Sequence, residues 1–438
     1  MYGVVQMPLG LPRGSILGGQ NNRPGGRRGF ALIITLALLA LLVLAVVALS
    51  ALVKVGGQVS AAGTYQVQAR QNALVGLNVG LGELQRHAGD DTRITAMAGI
   101  TGVAANAGNT TRHWCGVWHA DGTFVAWLVS GAQGAPVAAL QNGVTGIELI
   151  AAGSVGAPVA NSEHVIAGKV PIIVTETPEA PGVATTVGHH AFLVIDEGVK
   201  TPASSPAPFP VVTPVIFASA TNAQSRLRDA LAAHASKMPK VVSYEQLAVL
   251  PSPAAALSPS TLQDNLHHVT LASRTLRGTQ LNGGMMNVNT NSAIFWRNLL
   301  QTYNTVPGIS ASIPNAAVST RGTTIQNSLP TFATAGKFTN SPFTSVAALG
   351  DYLATVFPAT GSPTAAQILQ AVGPMLTVRS DTFRIRAYGE ALNPADSNKI
   401  EATAYCEAIV QRTNDLASNG LGGKFVILNF RWLGPDDI

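Results

Sequence analysis

Residues 30–53 (FALIITLALLALLVLAVVALSALV) run for 24 positions without a charge. About 20 apolar residues at a rise of roughly 1.5 Å each cross a bilayer core, so this stretch predicts one membrane helix. After Lys54 the pattern changes from uniformly apolar to periodic. Val67, Leu74 and Leu81, with Leu77 and Leu84, recur at helical spacing, and Gln66, Gln68, Arg70, Gln71 and Glu83 are set to face away from them. The spacing predicts that the helix continues in amphipathic form to about His87. Gly56, Gly57 and Gly63 weaken that continuity and predict a bend or a melted segment.

Beyond this helix, several stretches of the chain read as strands. Residues 113–130 read as two strands around the turn Ala120-Asp121-Gly122, with Trp114, Trp118 and Trp127 as core residues. Residues 144–150, 170–176 and 190–195 read as further strands, the last leading into a turn at Asp196–Lys200. The Pro- and Ser-rich stretch 200–214 reads as a linker and sets a boundary. A helix is expected over 221–235, with short helical turns at 243–250 and 259–267. Residues 302–341 show little periodicity and read as a long surface loop, after which helices resume at 345–357 and 364–372. The clearest alternation comes late. Phe383, Ile385 and Ala387 share one face with Ile400, Ala402, Ala404, Cys406, Ala408 and Val410, and Leu392–Asn398 lies between the two runs. This predicts a long-looped antiparallel hairpin within 376–412, with Arg and Glu on its opposite face placed for cross-strand pairing. The predicted fold class is therefore α+β. A membrane and amphipathic helix (30–88) precedes a β-rich exported domain (89–199), the linker, and a second α+β part (215–438) that ends in the hairpin.

Composition fits an exported, loop-rich chain. Charged residues make up 11%, against roughly 25% in an ordinary soluble protein, while Gly (44) and Pro (26) are plentiful. The net charge of +5 is concentrated at the start: Arg13, Arg23, Arg27 and Arg28 fall in the first 29 residues, which contain no acid. Taking those four from 27 basic residues leaves 23 against 22 acidic ones. The basicity therefore concerns membrane orientation and not a nucleic-acid groove. Arg27 and Arg28 before the apolar run outweigh Lys54 after it, which predicts the N-terminus in the cytoplasm and the bulk of the chain outside. The two cysteines, Cys115 and Cys406, are either one long-range bridge or two separate buried thiols, and spacing leaves both open.

The junction Arg27-Arg28-Gly29-Phe30, followed by an apolar helix that runs on past the membrane, resembles the class III leader of type IV prepilins and type II secretion pseudopilins. The resemblance implies cleavage by a prepilin peptidase between Gly29 and Phe30, with methylation of the new N-terminus. An uncleaved signal anchor is the alternative on hydropathy alone. One position departs from the family: the fifth mature residue of major pilins is usually Glu, and here it is Ile34. The K-type minor pseudopilin also lacks that Glu, so the resemblance implies a minor, tip-located subunit. RSDTFRIRAYGEA and YCEAIVQR, around the hairpin loop, resemble the C-terminal hairpin of PilX-type and K-type pseudopilin-like proteins. AFLVIDEGVK and NALVGLNVGLGELQRHAGDDTRITA resemble the verrucomicrobial Verru_Chthon cassette group.

No catalytic constellation stands out. The sequence has no G-x-S-x-G elbow, no H-E-x-x-H, no P-loop and no G-x-G-x-x-G after a strand. The pairs His189-His190, His267-His268 and Glu163-His164 are the metal candidates, but adjacent strand residues point to opposite faces, so solvated strand-edge or loop histidines are the expectation. Asn282-Gly283-Gly284-Met285-Met286 lacks the setting of a phosphate cradle. Asp196-Glu197 and Asp90-Asp91 lack the spaced oxygens of a calcium loop and read as turns. The expected function is structural, with no catalytic residue, metal or cofactor. The partners would be prepilin peptidase, the inner membrane and other pilin-like subunits, the latter packing through the small residues Ala37, Ala40, Ala45 and Ala48. The rivals are an anchored adhesin that does not polymerise and uses 302–341 as its contact surface, and a membrane-tethered enzyme.

Overall fold

The computed structural model describes residues 28–101, 111–132, 143, 145–155, 164–175, 182, 184–202, 267–270, 285–304, 306–333, 341–361 and 363–438. The chain divides into two compact units, Met1–Ala61 and Ala62–Ile438. Helix α1 (Arg28–Ala88) is 61 residues long and starts in the first unit. It runs unbroken through Gly56, Gly57 and Gly63, where a bend was expected. Each glycine costs about 1 kcal/mol relative to Ala, which does not break a helix whose backbone hydrogen bonds continue on either side.

The second unit is built on one antiparallel sheet. Its order is β14 (Gly423–Leu433), β13 (Asp396–Leu416), β12 (Thr382–Asn393), β7 (Thr185–Asp196) and β6 (Val170–Val174). Strand β12 is central, and both of its faces are covered. Phe192, Val194, Phe383, Ile385, Cys406, Ala408 and Val410 turn to the face that receives α1. Ala191, Leu193, Ile195 and Tyr388 turn to the other. This two-sided burial explains why AFLVI reads as a continuous apolar run.

The second face packs on two small layers. One layer holds β1 (Ile94–Met97), β2 (Cys115–Trp118) and β3 (Phe124–Trp127), paired in that order, with Trp114, Trp118 and Trp127 in the core. Beside it β4 (Gly146–Ile150) pairs with β5 (Val165–Gly168), and a single turn, α2 (Ala152–Val155), follows β4. The other layer is helical. Two parallel pairs lead to it: β8 (Thr201–Pro202) with β9 (Val269–Thr270), and β10 (Met286–Asn287) with β11 (Leu376–Thr377). Its helices are α3 (Ala293–Tyr303), α4 (Asn315–Ser328), α5 (Val346–Val356) and α6 (Ala365–Val372). Ser292, Ser345 and Thr364 cap α3, α5 and α6, and Gln367 completes a capping box.

Three expectations change. Strands from 170–196 and 382–433 share one sheet, so the parts divided at 200–214 form one unit. Of that linker only Lys200–Pro202 is described, and Thr201–Pro202 is a strand. The expected helix at 221–235 and the turn at 243–250 lie outside the described residues, as does all of 259–267 except His267. Residues 302–341 are not one long loop, because α4 occupies their middle. Its hydroxyls bond back to the preceding turn (Thr320 to the Ala316 carbonyl, Thr324 to Thr320, Ser328 to Thr324) and only Val318, Gly322 and Ile325 are buried. A helix so polar leaves little hydrophobic period to read. Finally, the hairpin loop is a tight turn. Asn393 pairs with Asp396, and the Asn393 side chain accepts from the Ala395 amide.

The close seating of α1 makes a test. A Cβ on Gly76 would lie 2.7 Å from the Ala191 carbonyl oxygen, whereas one on Gly82 meets nothing within 4 Å. In denaturant unfolding, Gly76→Ala is expected to destabilise the second unit by about 1–3 kcal/mol. Gly82→Ala is expected to stabilise it by up to about 1 kcal/mol. Equal and small effects at both sites would contradict the seating.

Candidate functional site on the N-terminal helix

From Phe30 to Val53 the side chains of α1 are exposed, including Phe30 at 69%, Leu44 at 72% and Val53 at 68%. Among the described residues this is the one helix long and apolar enough to cross a membrane, as a span or a signal anchor. An unburied helix of this composition is soluble in lipid and not in water, since its backbone is satisfied internally and its side chains are apolar. Lys54 is exposed just past the charge-free run. The backbone of Arg28 and Gly29 opens the helix, Phe30 is its first residue with a described side chain, and Arg27 lies outside the described residues. Ile34 is exposed within the apolar run.

Within the second unit the same helix is seated on the sheet. Its buried face consists of Ala69, Asn72, Ala73, Gly76, Leu77, Gly80, Leu84 and Ala88. Small residues let the backbones approach closely: a Cβ on Gly80 would lie 2.9 Å from the Phe192 ring, and one on Gly389 of β12 would collide with the backbone of Ala69 and Ala73. Carboxamides fix the register. Asn72 Nδ2 donates to the Glu390 carbonyl at 2.8 Å. Gln85 Nε2 donates to the Leu421 and Gly423 carbonyls at 3.0 and 2.9 Å, while its Oε1 accepts from the Phe425 amide at 2.9 Å. Gln66 and Gln68 reach the Thr403 and Val187 carbonyls, each at 3.3 Å, so these two do not face away from the domain as their polarity suggested.

The larger apolar residues divide differently from the expected stripe. Leu77 and Leu84 are buried, whereas Val67 (56%), Leu74, Val75 and Val79 form an exposed apolar row on the outer side. Polarity alone pointed to the bulky residues as the contact. The readable signal for close packing was the spacing of Ala69, Ala73, Gly76, Gly80 and Leu84.

An ionic cluster lies on the opposite face of the sheet. Glu407 accepts from Arg384 at 2.7 Å, from Arg386 at 2.8 Å and from Arg431 at 2.8 Å. Glu197 accepts from Lys200 at 2.9 Å, from Arg384 at 3.0 Å and from the Thr270 hydroxyl. Burial alone would raise both carboxyls. Instead Arg384, Arg386 and Arg431 hold Glu407 far below the ordinary range, and Lys200 and Arg384 bring Glu197 to about 2. Glu390 is likewise held at about 2 against burial by His189, Lys169 and Tyr388. The expected cross-strand pairing on the hairpin is present, Arg386 opposite Glu407, but buried instead of solvated.

The other candidate residues are placed as follows. Cys115 and Cys406 are free buried thiols in the same core, not a bridge. The Cys406 Sγ donates to the Ala73 carbonyl at 3.8 Å, and burial pushes its thiol up to about 12. His190 is buried on β7 and His267 is buried against His113, so these two are interior groups and not solvated ones, whereas His189 bonds Glu390 at 2.6 Å and is half-buried. His164 contacts Glu148 at 3.3 Å, and Glu163 lies outside the described residues. Among the described residues no three His, Cys, Asp or Glu side chains are grouped to hold a metal ion. Asp196 and Asp90 do serve turns, accepting from the Gly198 and Thr92 amides, while Glu197 belongs to the ionic cluster. Of Asn282–Met286 only the two methionines are described. An open cavity of about 350 Å³ beside α6 offers hydrogen bonds from Ser310, Gln367 and Gln370 but no acid–base pair.

No known family model matches the chain, and no curated protein matches it.

Glu407→Gln, which leaves three arginines around a neutral group, is expected to cost about 3–5 kcal/mol in chemical denaturation. A loss below about 1 kcal/mol would mean that the cluster is solvated in solution.

Proposed function

We propose that this protein is a non-enzymatic, minor pilin-like or pseudopilin-like subunit of a type IV pilus or type II secretion-like filament. The carrying observation is α1 itself: an exposed, charge-free apolar run, continued in the same helix by a segment seated on an antiparallel sheet. The Arg27-Arg28-Gly29-Phe30 junction supports processing after Gly29 by a prepilin peptidase. The arginines before the run support an N-terminus in the cytoplasm and a single pass of the inner membrane, with the second unit in the periplasm or in an extracytoplasmic filament. Neighbouring subunits meet the span at Ala37, Ala40, Ala45 and Ala48, where small residues permit close helix contact. The exposed row Val67, Leu74, Val75 and Val79 supports further helix contact beyond the span. Ile34, in place of the usual Glu, favours a minor position over the repeating subunit.

The rival reading, an anchored adhesin that does not polymerise, drew on 302–341 as a contact loop. Helix α4, which turns Val318 and Ile325 into the core, weakens that basis.

Processing is tested by expressing wild type and Gly29→Ala with an intact prepilin peptidase and weighing both by intact-mass spectrometry. The wild type is expected to begin at a methylated Phe30, and the variant to keep its leader. A wild type that keeps its leader, and so differs from the variant only by the one methylene of Gly29→Ala, would remove the basis for the reading. Cross-linking through the span, followed by recovery of other pilin-like chains, separates a filament member from a solitary anchor.

A further inference from the structure

The turn that joins β13 to β14 lies against the end of α1. The Ala417 amide donates to the Gly422 carbonyl at 2.8 Å, and the Gly420 amide donates to the Ala417 carbonyl at 3.1 Å. Gln85, in the last turn of α1, donates to the Leu421 and Gly423 carbonyls at 3.0 and 2.9 Å. The Gly423 amide donates back to the Gly89 carbonyl at 2.9 Å. The fit is close, backbone against backbone: a Cβ on Gly89 would collide with the Leu421 carbonyl, and one on Gly422 with the Gly89 carbonyl.

Asn419-Gly420 stands at the tip of this turn, and both residues are exposed. Asparagine is thermolabile. Its weak point is attack by the following backbone nitrogen on its own Cγ, and a side chain on that following residue crowds the approach. Gly420 has none, sits at φ 72°, and has open space where a Cβ would be. The Leu421 amide donates to Asn419 Oδ1 at 3.2 Å, which polarises the carboxamide that would be attacked. Of the Asn-Gly pairs at 142–143, 282–283 and 419–420, Asn142 and Asn282 lie outside the described residues. Among the described asparagines, Asn419 alone precedes a glycine.

We propose that Asn419 is a site of spontaneous deamidation, and that its isoaspartyl product loosens the last turn of α1 from the sheet.

The Gly420 nitrogen loses its proton to water or hydroxide, and its electron pair forms a bond to Asn419 Cγ. The Cγ–Nδ2 bond breaks, and Nδ2 takes up protons from water and leaves as ammonia. Water then adds to one of the two carbonyl carbons of the cyclic imide, and the bond from that carbon to the Gly420 nitrogen breaks. Opening at Cγ leaves an ordinary aspartate. Opening at the main-chain carbonyl carbon leaves isoaspartate, through which the chain runs by way of Cβ and Cγ. One water is consumed and one ammonia released, with no oxidation. The Gly420–Ala417 bond must release first, so attack occurs when the turn opens locally.

Either product places a carboxylate two residues before Leu421, beside the C-terminal end of α1, where the helix dipole disfavours negative charge. Isoaspartate also adds one atom to the main chain of the turn. The Leu421 and Gly423 carbonyls then cannot both stay on Gln85 while the Gly423 amide stays on Gly89.

Ageing the full chain in detergent at about pH 8 tests this, with peptide mass spectrometry that separates aspartate from isoaspartate by fragmentation. Asn419 is expected to convert at least about tenfold faster than Asn398 and Asn414, which are also exposed but precede Lys399 and Asp415. Its rate is expected to rise by up to about tenfold per pH unit, because the attacking nitrogen must lose its proton. Conversion no faster than at Asn398 and Asn414, or independent of pH, overturns the site. Hydrogen exchange across Gly423–Phe425 is expected to be about five- to tenfold faster in isoaspartyl chains than in unmodified ones, the loss of roughly one hydrogen bond, while β12 stays protected. Equal exchange in the two overturns the loosening. Asn419→Gln, which closes such a ring far more slowly, is expected to age without that change. The same acceleration in the aged variant overturns the link between the two.

Discussion

The close approach of α1 to the middle of the sheet is the constraint on which the rest of the fold depends. It demands glycine or alanine where helix and strand touch, on the helix at Ala69, Ala73, Gly76 and Gly80 and on the strand at Gly389. Side chains too small to fill a gap force the backbones together, and carboxamides then reach carbonyls directly. Asn72 and Gln85 turn this proximity into register. With α1 on one face, β12 and β7 must be covered on the other as well, which accounts for the tryptophan layer and for helices α3 to α6 there. One sheet buried on both sides also explains how a chain with 11% charge folds without a larger polar surface.

The ionic cluster sits where an apolar core would otherwise continue. Buried ion pairs contribute little net stability once desolvation is subtracted, and breaking one is costly. Their value here is positional. Glu407 and Glu197 hold Arg384 and Arg386 between strands, and through Thr270 and Ser154 they fix the segments that cross this face. A shifted strand register would strand a charge without its partner, so the cluster favours one alignment of β7, β12 and β13.

Much of this order was legible in the sequence where a period was strong. The apolar run, the continued helix, the Asp121-Gly122 hairpin, the Phe383/Ile385/Ala387 face and the helices near 345–357 and 364–372 all follow from hydrophobic spacing. Other parts were hidden for identifiable reasons. Helix α4 is too polar to show a face, because its hydroxyls bond its own backbone. Strand β14 was not expected, since Val426, Ile427 and Leu428 break the alternation at a bulge. The joining of residues 170–196 with 382–433 depends on long-range pairing, which composition cannot reveal. The burial of Arg384, Glu407, His190 and His267 was also missed, because polarity was read as solvent exposure. At the candidate site, the span was legible from hydropathy, while the seat was obscured by attention to Leu and Val over Gly and Ala.

The hydrogen bonds of Gln85 join residues 336 to 340 positions apart in sequence. The first helix of the chain thus closes on nearly its last strands. Long loops must be closed before such contacts contribute, so assembly is slow and strongly cooperative. While the chain is being made, the glycine face of α1 and the edge of β7 wait uncovered until β12 to β14 emerge. The interval is a window for capture by chaperones or for mispairing of an open strand edge. In a protein built this way, the helix that is made early cannot take its seat until the last strands have been made.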